Sequence, residues 1–145
     1  MLTGEYQLFE ITPSGDTLRS ISRAFDPLPV TAADRDTARA RLEWFTNQGG
    51  KIDLSKVPST KPATRYFFWD DEDNLWVIPV TTYAERDRIA HVFDPVGRYL
   101  GEVRFPFPLR SRPYPLIRNG VLHAVTVEEF DVQYVVRARI VKRSE

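Results

Sequence analysis

The side chains that could do chemistry are few in this sequence and far apart. It has 145 residues, two histidines (His91 and His123) and no cysteine. Without thiolates, a zinc site would need three or four ligands drawn from imidazole and carboxylate. His91, His123 and Asp94 could contribute only if the fold brought them together. Each histidine falls in a segment with strand character, where a packed or rim position is the commoner fate. Asp70-Asp71-Glu72-Asp73 gathers the oxygen ligands that calcium takes, but it lacks the Asp-x-Asp-x-Asp-Gly spacing and downstream Glu of a calcium loop. It reads as a solvated turn. There is no Gly-x-Ser-x-Gly elbow, and Gly49-Gly50 is a helix stop, not a phosphate loop. The sequence therefore assigns no catalytic residue, no metal ligand and no cofactor.

The elements that would position any site are short strands. Arg65–Trp69, Leu75–Val80, Ile89–Phe93 and Tyr99–Arg104 are rich in β-branched and aromatic residues. Their connectors, Asp70–Asn74, Thr81–Arg88 and Asp94–Arg98, carry turn residues. Ile11-Thr12-Pro13-Ser14-Gly15 matches Phe93-Asp94-Pro95-Val96-Gly97, with Leu18 falling on Leu100 and Ile21 on Val103. Pro presets the first corner of a turn and Gly accepts positive φ near its end, so one hairpin is written twice. Tyr6–Ile11 and Thr17–Ala24 are the strands of its first copy. Both faces of Tyr6–Ile11 carry apolar residues, which suits a strand sandwiched between sheets. Asn119-Gly120 marks a further hairpin between Pro113–Ile117 and Val121–Val127, and Val132–Val141 supplies a last strand. In between, Thr31 to Asn47 reads as one amphipathic helix on the outside of the β core. Thr31 and Asp34 form its capping box, and Ala38, Leu42 and Phe45 its apolar stripe. Such a helix could also dock a partner or cover a sheet edge. Ile52, Leu54 and Val57 are expected to pin the irregular segment that follows.

Twenty acidic and twenty basic side chains give zero net charge. That offers no support for nucleic-acid binding, although a local basic face stays open. No run of eighteen apolar residues exists to insert in a membrane. The first residues, Met1-Leu2-Thr3-Gly4-Glu5, lack the basic and apolar regions of a signal peptide. None of this fixes a compartment.

Asp70-Asp71-Glu72-Asp73-Asn74-Leu75-Trp76-Val77, an acidic turn entering a Leu-Trp-Val strand, and Val92-Phe93-Asp94-Pro95-Val96-Gly97-Arg98-Tyr99-Leu100-Gly101 resemble blade motifs of the bacterial six-bladed β-propellers with NHL-like repeats. The resemblance is to their C-terminal portion and spans almost the whole chain. It implies an all-β fold of antiparallel four-stranded blades, about two and a half of them, with one peripheral α-helix. The expected divisions are a half blade over 1–25, a helical insertion and linker over 26–63, a full blade over 64–105 and a three-stranded last blade over 106–145. Six blades need roughly 250 residues at about forty per blade. A chain of this length would be a piece of a longer propeller, or copies of it would complete one another as a homo-oligomer. In propellers the Thr81–Arg88 connector and the Pro-rich loop after Arg104 lie on the face that commonly binds ligands. That points to Tyr83, Arg86, Arg110 and Arg112 as binding residues for a protein, peptide or carbohydrate. The expectation is a non-enzymatic binding module. The alternative is part of a lactonase- or lyase-like propeller enzyme whose catalytic metal residues lie outside this chain.

Overall fold

The computed structural model describes residues 5–127 and 129–141. It is mostly β, with antiparallel sheets of two, four and three strands and two helices. The first sheet pairs β1 (Tyr6–Ile11) with β2 (Thr17–Arg23). The second has the order β3 (Thr64–Trp69), β4 (Leu75–Pro79), β5 (Ile89–Phe93), β6 (Tyr99–Arg104). The third runs β7 (Leu116–Arg118), β8 (Val121–Val127), β9 (Gln133–Arg139). The strand counts of two, four and three follow the sequence expectation. Met1–Gly4 and the tail Lys142–Glu145 lie outside the described residues.

The doubled turn motif is a doubled structure. Shifting β1–β2 along the chain by 82 residues reproduces the pairing of β5–β6: Ile11↔Thr17 becomes Phe93↔Tyr99, Glu10↔Arg19 becomes Val92↔Gly101, and Leu8↔Ile21 becomes Ala90↔Val103. Both copies carry a bulge at the same place. The turns close alike. Thr12 Oγ1 accepts from the Asp16 N–H at 3.0 Å, and Asp94 Oδ1 accepts from the Arg98 N–H at 2.8 Å. Gly15 and Gly97 both sit at positive φ, 95° and 87°, which a side chain would strain. At Gly97 a Cβ would also stand 3.0 Å from Ile21 Cγ1, so the first sheet closes directly onto this turn.

The three sheets stack face to face. β4 and β5 are buried along their whole length because the second sheet lies between the other two. On one side Leu75, Val77 and Phe93 pack against Tyr6 and Ile21 of the first sheet. On the other, Trp76, Ile78, Ala90 and Val92 pack against Ile117, Leu122 and Ala124 of the third. β1 departs from the expected sandwich. Tyr6 and Leu8 face the second sheet, but Phe9 and Ile11 are 57% and 62% exposed, since no sheet covers the outer face. Among the described residues, β1 also has only one strand neighbour.

The expected single helix is two: α1 (Ala32–Arg41) and α2 (Glu43–Asn47), broken at Leu42 (φ −102°, ψ 3°). The capping box forms as read. Thr31 Oγ1 accepts from the Asp34 N–H, and Asp34 Oδ2 accepts from the Thr31 N–H. Hydrogen bonds from Lys61 and Thr31 hold the Asp34 carboxyl at about 2. Neither helix buries a residue. With no packing to hold it, the Trp44-Phe45-Thr46-Asn47 stretch, of middling helix propensity, breaks away after α1. The insertion closes at its own base. The Val30 N–H donates to Ser59 O, the Lys61 N–H donates to Leu28 O, and Lys61 Nζ bonds Asp34 at 2.9 Å. Ile52 and Val57 are half-buried, as expected of pinning residues; the side chain of Leu54 lies outside the described set. No described helix is long and apolar enough to cross a membrane.

Candidate functional site

The two connectors that carry the candidate binding residues meet at one end of the second sheet. The Leu109 N–H donates to Asp87 O and the Phe105 N–H to Arg88 O, both at 2.8 Å. Arg88 adds a side-chain bond to Pro106 O. Tyr83 and Arg86 come from the first connector. Arg110 comes from the second, where its N–H donates to Val125 O at 2.9 Å and ties the loop to the end of β8. Arg112 follows two residues later. All four side chains are exposed, Tyr83 to 90%. The structure thus brings their loops together. Among the described residues, no hydrogen bond or ring contact joins the four side chains to one another.

At the centre of this end lies Asp87, which the sequence reading missed. It stands at φ 59°, in the left-handed region that few non-glycine residues adopt. Its Oδ2 accepts from Arg65 Nη1 at 2.9 Å and lies 3.7 Å from Arg86 Nε, while its buried Oδ1 has no donor among the described residues. Burial pushes its carboxyl up, against the pull of Arg65 and Arg86. The neighbouring Tyr66 phenol is pushed up by burial and by the Asp87 charge. An Arg-Asp-Arg run inside a turn-rich connector was the available signal for Asp87. Its contact with Arg65, at the start of β3, has no local signature.

A second polar group lies between the first and second sheets. Tyr6 Oη and His91 Nδ1 share a hydrogen bond of 3.0 Å, and His91 Nε2 lies 3.7 Å from Glu102. The Arg23 guanidinium stacks 4.1 Å over the Tyr99 ring. Burial, then the Arg23 charge, lower the His91 pKa although Glu102 raises it. His91 is thus a packed histidine.

The three groups weighed as a metal set, His91, His123 and Asp94, are scattered. His91 faces the first sheet and His123 lies exposed on the outer face of the third. Asp94 is committed to its turn, accepting from Val96, Arg98 N and Arg98 Nε. Among the described residues no three His, Asp or Glu side chains gather in a group that could hold a metal ion. The acidic run has internal partners. Asp70 accepts from the Glu72 and Asn74 N–H groups, Asn74 Nδ2 and Trp76 Nε1, and Asp71 accepts from the Asn119 N–H.

Comparisons with known protein families, curated proteins and solved structures find no match for this chain.

Proposed function

We propose that this chain is a non-enzymatic binding module built from propeller-type blades, with its ligand face at the loop end formed by residues 81–88 and 105–113. The observation that carries the reading is the joining of those two connectors. It sets three exposed guanidinium-bearing residues, Arg86, Arg110 and Arg112, beside an exposed Tyr83 on a hydrogen-bonded frame. Arginine and tyrosine are the side chains that give binding surfaces most of their energy. The 82-residue repeat and the face-to-face stacking support the blade reading. His91 is committed to Tyr6 inside a sheet interface, away from this face.

The test is an NMR titration of the chain with acidic and neutral peptides and with neutral and uronic-acid oligosaccharides. Saturable shifts confined to the amides of 81–88 and 105–113, lost in the Tyr83→Ala, Arg110→Ala double variant, support the reading. Absence of such shifts across the whole set overturns it.

A further inference from the structure

The faces that sheets present to one another in this fold are apolar. The first sheet turns Tyr6 and Ile21 toward the second. The second turns Trp76, Ile78, Ala90 and Val92 toward the third. The outer side of the third sheet, in the same relation to it, is of another kind. Leu122, Ala124 and Val136 point inward to the core. Alternation then leaves Leu116 and Arg118 of β7, His123 of β8, and Val135, Arg137 and Arg139 of β9 on the outside, all exposed. No Asp or Glu occurs in these three strands.

The sheet sets these charges in a row. Same-side residues of a strand stand about 6.8 Å apart, and neighbouring strands about 4.8 Å. Arg137 and Arg139 are therefore successive members of one row, and Val135, 83% exposed, continues it. His123 lies directly beside Arg137, and Arg118 lies across Val121 from Arg139. Among the described residues the three guanidinium groups have no ion-pair partner. A further apolar sheet laid on this side would strip them of water with no counter-charge, a penalty of several kcal/mol per ion. Whatever covers the face has to bring anions.

We propose that this face docks a protein partner through an extended acidic segment, with carboxylates at two alternate residues over Arg137 and Arg139 and an apolar side chain over Val135. An extended chain repeats its same-side residues at the spacing of the arginine row. The guanidinium fork takes a carboxylate bidentately. A nucleic-acid strand fits less well, because the outer side of these strands carries no aromatic ring on which a base could stack. A second copy of the chain does not fit either. No described strand has carboxylates at two alternate positions, and in the acidic turn Asp70 and Asp71 are already engaged with Asn74 and Asn119. The inference rests on the charge of this face and not on the loop-end ligand.

The probe is the end-capped peptide Val-Thr-Glu-Thr-Glu-Thr-Val, which offers the same pattern in either direction, added to the intact chain at low salt and followed by NMR. The expected result is saturable shifts in the amides of Gln133–Arg139 and in the Nε–H signals of Arg137 and Arg139. Binding should weaken about tenfold when both Glu of the peptide are changed to Gln, and likewise with the Arg137→Gln, Arg139→Gln chain, since two exposed ion pairs are lost. Replacing both Val of the peptide by Thr should weaken it further. Both chain substitutions fall on exposed side chains, and circular dichroism checks that the variant folds. The proposal is overturned by a folded chain whose β9 signals do not respond, or by equal binding of the Gln peptide. Tighter binding of a uridine trinucleotide, which carries the same two charges, overturns it in favour of a phosphate backbone. β9 shifts that track the concentration of the chain alone overturn it in favour of a second copy. A response confined to 81–88 and 105–113 also overturns it, while supporting the loop-end ligand.

Discussion

Asp70 shows how one side chain can settle a local structure. Burial works against its ionisation, but hydrogen bonds from Trp76, Asn74 and Glu72 outweigh it and hold the carboxyl below its ordinary range. Asp70→Ala would leave the indole N–H of the buried Trp76 without its acceptor, which costs about 1–3 kcal/mol. Chemical denaturation should show that loss, and it should shrink as pH falls below about 4, where the unfolded carboxyl protonates. His91 has the opposite sign. Its folded pKa is lowered, so the unfolded chain takes up the proton first as pH falls below about 6.5. Thermal stability should therefore decline below that pH, and His91→Gln should remove part of the decline. The sequence did hold Asp70 in a turn, His91 in a packed strand and Trp76 in the core. It did not disclose that Asp70 bonds Trp76, or that Tyr6 meets His91 from 85 residues away. The first depends on side-chain geometry across the β3–β4 turn, and the second on sheet stacking, which no local pattern encodes.

At the scale of elements, β-rich segments with period-two burial and Asp/Asn/Pro/Gly turns were readable because turn chemistry is local. β1, β5, β6 and β8 begin and end where the sequence placed them. The helix was only half legible. Its capping box lies in neighbouring residues, whereas the break at Leu42 reflects the absence of a packed face, which the apolar stripe of Ala38, Leu42 and Phe45 disguised. The two kinds of element should differ sharply in stability. Ile78→Ala or Leu122→Ala, in the shared core, should cost about 2–5 kcal/mol in denaturant unfolding. Thr31→Ala should cost about 1 kcal/mol of local helix stability. It should be visible as faster amide exchange over 32–41 with the global midpoint unchanged, since these helices bury nothing.

The whole molecule has two unlike ends. Beyond the first sheet lie an unpaired strand edge and half-exposed aromatic rings. Beyond the third lies a face carrying Arg118, His123, Arg137 and Arg139, paired across β7, β8 and β9 as Leu116↔His123↔Arg137 and Arg118↔Val121↔Arg139. Among the described residues none of these four takes part in an ion pair. Zero net charge concealed this segregation, because composition carries no geometry. A cation exchanger at pH 7 and low salt should retain the chain, and Arg137→Glu with Arg139→Glu should lower the salt needed to elute it.

β1–β2 is a copy of β5–β6 that, among the described residues, has one edge open. Hydrogen exchange resolved residue by residue in the free chain tests this directly. A strand flanked on both sides engages every N–H, whereas one flanked on a single side engages alternate ones. The expected pattern is uniform protection across His91–Phe93, the part of β5 paired with both β4 and β6, and alternating protection across Tyr6–Ile11. Uniform protection across Tyr6–Ile11 would mean that a partner already occupies the edge. Alternation in His91–Phe93 would mean that the second sheet is not the four-stranded centre of the stack; either result would contradict the account.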